Sequence, residues 1–173
     1  MDNKKVLDEG FAKGLRQIEQ VIMTSLHWAA VELVHSALVN RGYTGFTGNT
    51  ETSYMCGIYL NGSLREVVDM SSELPSPVRR KIRNGQYVYL DRPYEGTSRG
   101  RHGYVDVNSE YGSETSLRFL GSYKAPRRGV ALVMTTGTEY SEFLEEMFNL
   151  DVLTRTFLDA PRIISSNWRS VRD

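Results

Sequence analysis

Apolar residues recur at spacings of three and four through the first part of the chain, which predicts one long amphipathic helix. Asn40, Gly42 and Gly45 indicate where it ends, so we place the helix at residues 6–40, roughly 50 Å long. That length exceeds the width of a domain of this size, so we expect the helix to lie across a sheet and reach beyond it. The core-facing positions that it predicts are Phe11, Leu15, Ile18, Ile22, Leu26, Ala29, Leu33 and Ala37.

A β-hairpin is predicted over residues 53–70. Two runs rich in strand-forming residues, 53–60 and 63–70, flank the dipeptide Asn61-Gly62. A type I′ turn requires positive φ at both central residues, and Asn-Gly is the pair that best tolerates this.

Residues 71–128 are predicted to form an insertion with basic loops. The proline-rich start indicates a breaker, with a short helical turn at 78–82, and residues 92–103 have the composition of an exposed loop. The short strands predicted within the insertion are 86–90, 104–107 and 116–120.

Residues 129–160 are predicted to supply a core strand and a terminal helix. The run 130–135 is the most apolar strand of the chain, so we expect it to be central in the sheet. Residues 140–149 form a short amphipathic helix, and 152–158 add one further turn before Pro161. A long helix on one face of an antiparallel sheet is α+β, and 173 residues fit a single domain.

The net charge of zero conceals an uneven distribution. Residues 1–77 carry 6 Lys and Arg against 9 Asp and Glu, residues 78–130 carry 11 against 5, and residues 131–173 carry 4 against 7. An acidic frame around a basic middle suits contacts between identical subunits, and also suits nucleic acid. No apolar run approaches the roughly 20 residues that span a bilayer, so we expect no membrane segment.

Catalytic, cofactor and metal sites are not predicted. The chain lacks the phosphate loop, the dinucleotide-binding glycine pattern, the nucleophile elbow and the His-Glu-x-x-His motif. Glu32 and His35 have a spacing that could place two ligands on one metal, but nothing marks a third. Cys56 is expected to be a buried structural thiol. We therefore expect a protein that is not an enzyme, although an enzyme of unrecognised type or a cellular adaptor remains an alternative.

The basic segment 79–104 supports a nucleic-acid-binding alternative. Positive charge interleaved with tyrosines can follow a phosphate backbone and stack on bases. The tyrosines are Tyr87, Tyr89, Tyr94 and Tyr104, and the candidate contact residues are Arg79, Arg80, Lys81, Arg83, Arg99 and Arg101.

The order of these motifs resembles the neck or tail-completion (head–tail connector) family of tailed bacteriophages. That family runs from a helix through Thr-Gly-x-Leu-x-x-Ser and a hairpin to a strand ending in Tyr-x-x-Tyr-x-Glu-x-Gly. The corresponding residues here are Thr47, Gly48, Ser53, Tyr140, Phe143 and Glu145. Thr50 and Met147 depart from the expected leucine and glycine, and Phe143 stands in for the second tyrosine.

The resemblance implies a structural protein of the virion, assembled in the host cytoplasm. Such proteins form a homo-oligomeric ring, here expected to hold roughly 6 or 12 copies, stacked between portal or adaptor and tail proteins around the DNA channel. It further implies that the candidate arginines and lysine of 79–101 contact an adjacent ring or packaged DNA. The helix at 140–149 would then pack beside the long helix, with no cofactor and no membrane involved.

Overall fold

The computed structural model describes residues 3–42, 50–69, 87–89, 104–106, 111–138, 141–148 and 150–168. It confirms the α+β architecture, with a long helix on an antiparallel sheet and short helices towards the C-terminus. The elements in order are α1 (Asn3–Asn40), a 3₁₀ turn (Glu51–Ser53), β1 (Met55–Leu60), β2 (Ser63–Asp69), β3 (Tyr87–Tyr89), β4 (Tyr104–Asp106), α2 (Tyr111–Ser122), β5 (Val130–Thr135), α3 (Ser141–Phe148) and α4 (Thr154–Asn167).

The main sheet has the order β2-β1-β5, with both pairs antiparallel. Asn61 and Gly62 join β1 to β2 with φ of 52° and 83°, which confirms the predicted hairpin and its turn.

The prediction of a central position for 130–135 was wrong. β1 is the central strand, and β5 pairs only along one side in the described sheet. Residues 55–59 of β1 are buried, whereas β5 is only partly buried, so the apolar composition of 130–135 did not indicate the more central position.

A β-bulge interrupts the hairpin at Arg65. Ile58 pairs with Glu66, whereas the next residue, Tyr59, pairs with Leu64, so Arg65 is the extra residue. Leu64 and Glu66 would share a face in a regular strand. The bulge instead turns Glu66 towards α1, where its Oε1 lies 2.7 Å from His27 Nδ1, and leaves Leu64 on the opposite face.

The C-terminal half of α1 packs on one face of the sheet. Leu26, Ala30, Leu33, Val34, Ala37 and Leu38 join Cys56, Ile58 and Val68 in the main apolar cluster. By length and composition α1 could cross a membrane, but 44% of its most apolar stretch is buried inside the protein. The core helix of a globular domain meets the same criterion.

Helix α2 packs on the other face of the sheet. The prediction of a strand at 116–120 was wrong, since these residues form part of this helix, with Ser116 and Leu120 fully buried four residues apart. Helical spacing lets Ser116 contact the 3₁₀ turn and Leu120 contact β1, and this packing outweighs the local strand propensity. A Cβ at Gly57 would lie 2.9 Å from the Tyr59 ring and 3.0 Å from Leu120 Cδ2, so glycine permits the close approach.

The C-terminal helices differ from prediction in extent. The helix predicted at 140–149 is confirmed as α3, but the expected single turn at 152–158 is a 14-residue helix, α4, that continues through Pro161. Proline in a helix interior costs about 3 kcal/mol. Packing of α4 along α1 offsets this cost, since Ile163 is buried in the core and Asn167 donates to Glu32 at 2.6 Å.

The insertion is described in part. β3 and β4 form a separate two-stranded antiparallel ribbon, which confirms the strands predicted at 86–90 and 104–107. The helical turn predicted at 78–82 and the loop at 92–103 lie outside the described residues.

The close approach of α2 to the segment after β5 gives a test of this packing. A Cβ at Gly137 would overlap the Gly112 carbonyl oxygen and lie 2.7 Å from the Ser116 nitrogen, whereas one at Gly121 would meet nothing within 4 Å. We expect Gly137→Ala to lower the free energy of unfolding by about 1–3 kcal/mol. Gly121→Ala makes the same change in an exposed helical position and should raise it by up to about 1 kcal/mol. Urea denaturation of both variants measures the difference, and equal effects would contradict the packing.

Candidate assembly interface

Most of the residues singled out from the sequence lie where the structure gives no description. Those outside the described residues are Arg79, Arg80, Lys81, Arg83, Arg99, Arg101, Thr47, Gly48 and Tyr140. Phe143 lies in α3, where only its backbone is described. The two that can be placed with their side chains are Ser53 and Glu145.

Ser53 joins three elements through its backbone and hydroxyl. Its side chain is fully buried, and Oγ donates to the Thr50 carbonyl at 2.9 Å and lies 2.7 Å from Thr136 Oγ1. Ser116 Oγ on α2 donates to the Ser53 carbonyl at 2.6 Å. The 3₁₀ turn, the end of β5 and α2 are thereby fixed together at one point.

Further hydroxyls extend this junction towards α3. Thr50 Oγ1 lies 3.2 Å from Thr138 Oγ1, and Thr138 in turn hydrogen-bonds Ser141, the first residue of α3. The Ser141 nitrogen also donates to the Thr138 carbonyl at 3.1 Å. Buried hydroxyls that satisfy one another in this way specify how elements meet. The network holds no acid or base and is architectural.

Glu145 holds the start of α4. Its Oε1 accepts hydrogen bonds from the backbone nitrogens of Val152, Leu153 and Thr154 at 3.1, 2.6 and 2.9 Å. The nitrogens of Leu153 and Thr154 lie at the N-terminal end of α4, where backbone donors have no intrahelical partners. Partial burial acts to raise the pKa of Glu145, but the three backbone donors and the Thr154 side chain together lower it below its ordinary value. Sequence spacing did not reveal this role, because the partners lie beyond the end of α3.

The described part of the chain offers little to catalysis or metal binding. It contains no group of three His, Cys, Asp or Glu residues that could hold a metal ion. Glu32 is engaged with Asn167, and His35 is exposed. Burial raises the pKa of Cys56 to about 12, so this thiol stays protonated at neutral pH, as expected of a structural cysteine.

Helix α1 projects an apolar stripe into solvent. The sequence predicted Phe11, Leu15 and Ile18 as core residues, and this was wrong: they are 66%, 66% and 42% exposed, and buried positions begin only at Ser25. Helix α1 is longer than the sheet on which it packs. Only its C-terminal half covers the sheet, so the apolar stripe of its N-terminal half is left exposed. We call residues 3–20 the projecting segment; it is about 27 Å long.

The projecting segment carries charges of both signs. Lys4, Lys5, Lys13 and Arg16 are interspersed with Asp8, Glu9 and Glu19. A second exposed apolar surface lies on α4, where Phe157 and Leu158 are 77% and 71% exposed beside Arg155, Asp159 and Arg162. Both surfaces therefore combine large apolar side chains with balanced charge, a combination typical of protein–protein contacts.

Comparison with models of protein families, with characterised proteins and with solved structures finds no match to this chain. The case for function therefore depends on the surfaces of the molecule itself and on the motif order.

The role of Glu145 yields a prediction with a pH signature. Glu145→Gln removes the charge that the α4 donors stabilise, so we expect it to lower the free energy of unfolding by about 2 kcal/mol at pH 7. The folded-state pKa is depressed below 4.5, so the contribution is fully present above that pH and is lost as the pH falls through the folded-state pKa. Urea denaturation from pH 7 to pH 3 should show wild type and variant converging.

Glu146→Gln is the matched control, since Glu146 is exposed on the same helix. We expect it to change stability by less than about 0.5 kcal/mol. A Glu145→Gln effect that is the same at pH 3 and pH 7 would contradict the proposed capping by the carboxylate.

Proposed function

We propose that this protein is a structural subunit that assembles with copies of itself into a ring. The ring would form the neck or tail-completion layer of the head–tail connector of a tailed phage, joining portal to tail. The observation that carries the assembly proposal is the exposed apolar stripe of the projecting segment. The resemblance in motif order supports the phage setting.

An exposed stripe of this size favours a protein partner. Fully burying a large apolar side chain contributes about 1.5–3 kcal/mol, and Leu7, Phe11, Leu15 and Ile18 follow one another on one helix face at spacings of four, four and three. The balanced charges around them would not attract a uniformly charged partner such as nucleic acid or an anionic lipid surface. A protein surface that combines apolar side chains with charges of both signs is a better match for this stripe.

A second copy of the chain offers such a surface. Each subunit carries two different apolar surfaces, the projecting stripe and the α4 pair Phe157 and Leu158. Contact between different surfaces of identical subunits is heterologous, and it closes into a ring when the rotation between neighbours allows.

The size of the stripe favours a ring over an isolated pair. A helix face of this length and about 10 Å width covers roughly 270 Å², whereas a stable interface buries about 800 Å² on each partner. One such contact alone is weak. In a closed ring every subunit is held through two contacts, and further surfaces add to each.

Truncating the stripe should abolish assembly without unfolding the subunit. We expect wild type to approach about 118 or 236 kDa by light scattering, for six or twelve copies of a 19.7 kDa chain. Phe11→Ala with Leu15→Ala should shift the mass to that of a monomer, because it removes two anchors while alanine preserves the helix. The control Gln17→Ala with Gln20→Ala alters the other side of α1 and should assemble as wild type does.

Cysteine cross-linking separates the ring from a symmetric pair. Cys56 is buried and will not interfere. We expect Leu15→Cys combined with Phe157→Cys to give an oxidised ladder of multiples, and each single variant to stay uncross-linked. Dimers from Leu15→Cys alone would indicate an isologous helix pair instead. A wild-type chain that is monomeric at every concentration and forms no ladder would contradict assembly.

A further inference from the structure

A basic surface lies in the second half of α2 and in the loop that follows it. Residues 115–138 contain no Asp or Glu, and the four cations in this stretch, Arg118, Lys124, Arg127 and Arg128, are all exposed. None of the four forms an ion pair with any described residue. We call these residues, together with Phe119 and Tyr123, the α2-end surface.

The backbone beneath this surface is held in place at both ends. Tyr59 Oη donates to the Leu120 carbonyl at 2.6 Å, and the Tyr123 nitrogen donates to the Phe119 carbonyl at 2.9 Å. At the other end, two hydrogen bonds join the hairpin turn to the loop between α2 and β5. The Asn61 nitrogen donates to the Gly129 carbonyl, and Asn61 Oδ1 accepts from the Gly129 nitrogen. The cations are therefore presented from a braced backbone, which lowers the entropic cost of binding.

Two aromatic rings lie among the cations. Phe119 and Tyr123 are 44% and 40% exposed, with ring centroids 5.7 Å apart, and Tyr123 packs at the same distance against buried Tyr59. An exposed ring supported from behind is a platform on which an unpaired base can stack, without regard to its sequence.

We propose that the α2-end surface binds single-stranded nucleic acid. The cations would neutralise successive phosphates, and Phe119 with Tyr123 would contact a base. Four separate cations exceed what one small anion needs, and the aromatic platform distinguishes a strand with unpaired bases from an acidic protein surface. This inference does not depend on the ring, because the surface is distinct from both apolar surfaces.

Fluorescence anisotropy with a labelled oligothymidylate of about 20 nucleotides tests the proposal. Each neutralised phosphate on a single strand contributes about −0.7 to the slope of log affinity against log salt, so four predict a slope near −3. Affinity should then fall about 50-fold between roughly 50 and 200 mM salt. Absence of binding at the lower salt would overturn the proposal.

Matched variants locate the binding. In the monomeric Phe11→Ala, Leu15→Ala background, Arg127→Ala with Arg128→Ala should halve the salt slope. Lys13→Ala with Arg16→Ala in the same background changes net charge equally but away from the α2-end surface, and it should leave the slope unchanged. Equal effects of the two pairs, or no effect of the first, would overturn the assignment to this surface.

The aromatic contribution distinguishes single strands from other polyanions. Phe119→Leu should weaken oligothymidylate binding about tenfold and leave the salt slope intact, because stacking is lost while the charges remain. Poly-glutamate or duplex DNA that binds as tightly as the single strand, with Phe119→Leu having no effect, would overturn the proposed ligand. A urea midpoint equal to that of wild type checks that each variant is folded.

Discussion

Burial of β1 on both faces is the constraint around which the rest of the structure is arranged. On one face Cys56 and Ile58 meet the C-terminal half of α1, and on the other Gly57 and Tyr59 meet α2. Gly57 lies between Met55 and Tyr59 on the α2 face, and the absence of a side chain there lets Leu120 of α2 approach the strand. The bulge at Arg65 then lets the hairpin contact both helices, because it places Leu64 and Glu66, which would share a face in a regular strand, on opposite faces of the sheet.

Polar groups decide how the helices join this core. The hydroxyls around Ser53 connect the start of α2 and α3 to the sheet, while the Glu145 carboxylate supplies the acceptor that the first turn of α4 lacks. Both residues belong to the motif on which the proposed connector role is based. Their contacts are architectural, so a motif of this kind can reflect the requirements of helix junctions as much as those of a binding site.

The surfaces left uncovered differ in chemistry and therefore in the partners they suit. The projecting segment of α1 and the outer side of α4 are apolar with balanced charge, which supports the proposed contact between copies of the chain. The end of α2 carries four cations that form no ion pair with a described residue, together with two aromatic rings. A net charge of zero for the whole chain conceals this separation, since charge acts through its local arrangement over distances of about 10 Å.

Several elements of this fold could be predicted from short stretches of the sequence. Four features were predictable: the long helix, the Asn61-Gly62 hairpin, the strand at 130–135 and the α+β class. Each depends on hydrophobic periodicity or on turn residues, and both are properties of residues close together in the sequence. Only tertiary structure decided which partners those elements met. Phe11 and Leu15 continue the core pattern of α1 but have no described strand beneath them. Helical spacing lets Ser116 contact the 3₁₀ turn while Leu120 contacts β1. Helix α4 continues past Pro161 because α1 buries Ile163. Burial depends on residues distant in sequence, so neither the exposed stripe nor the capping role of Glu145 could be read from the chain alone.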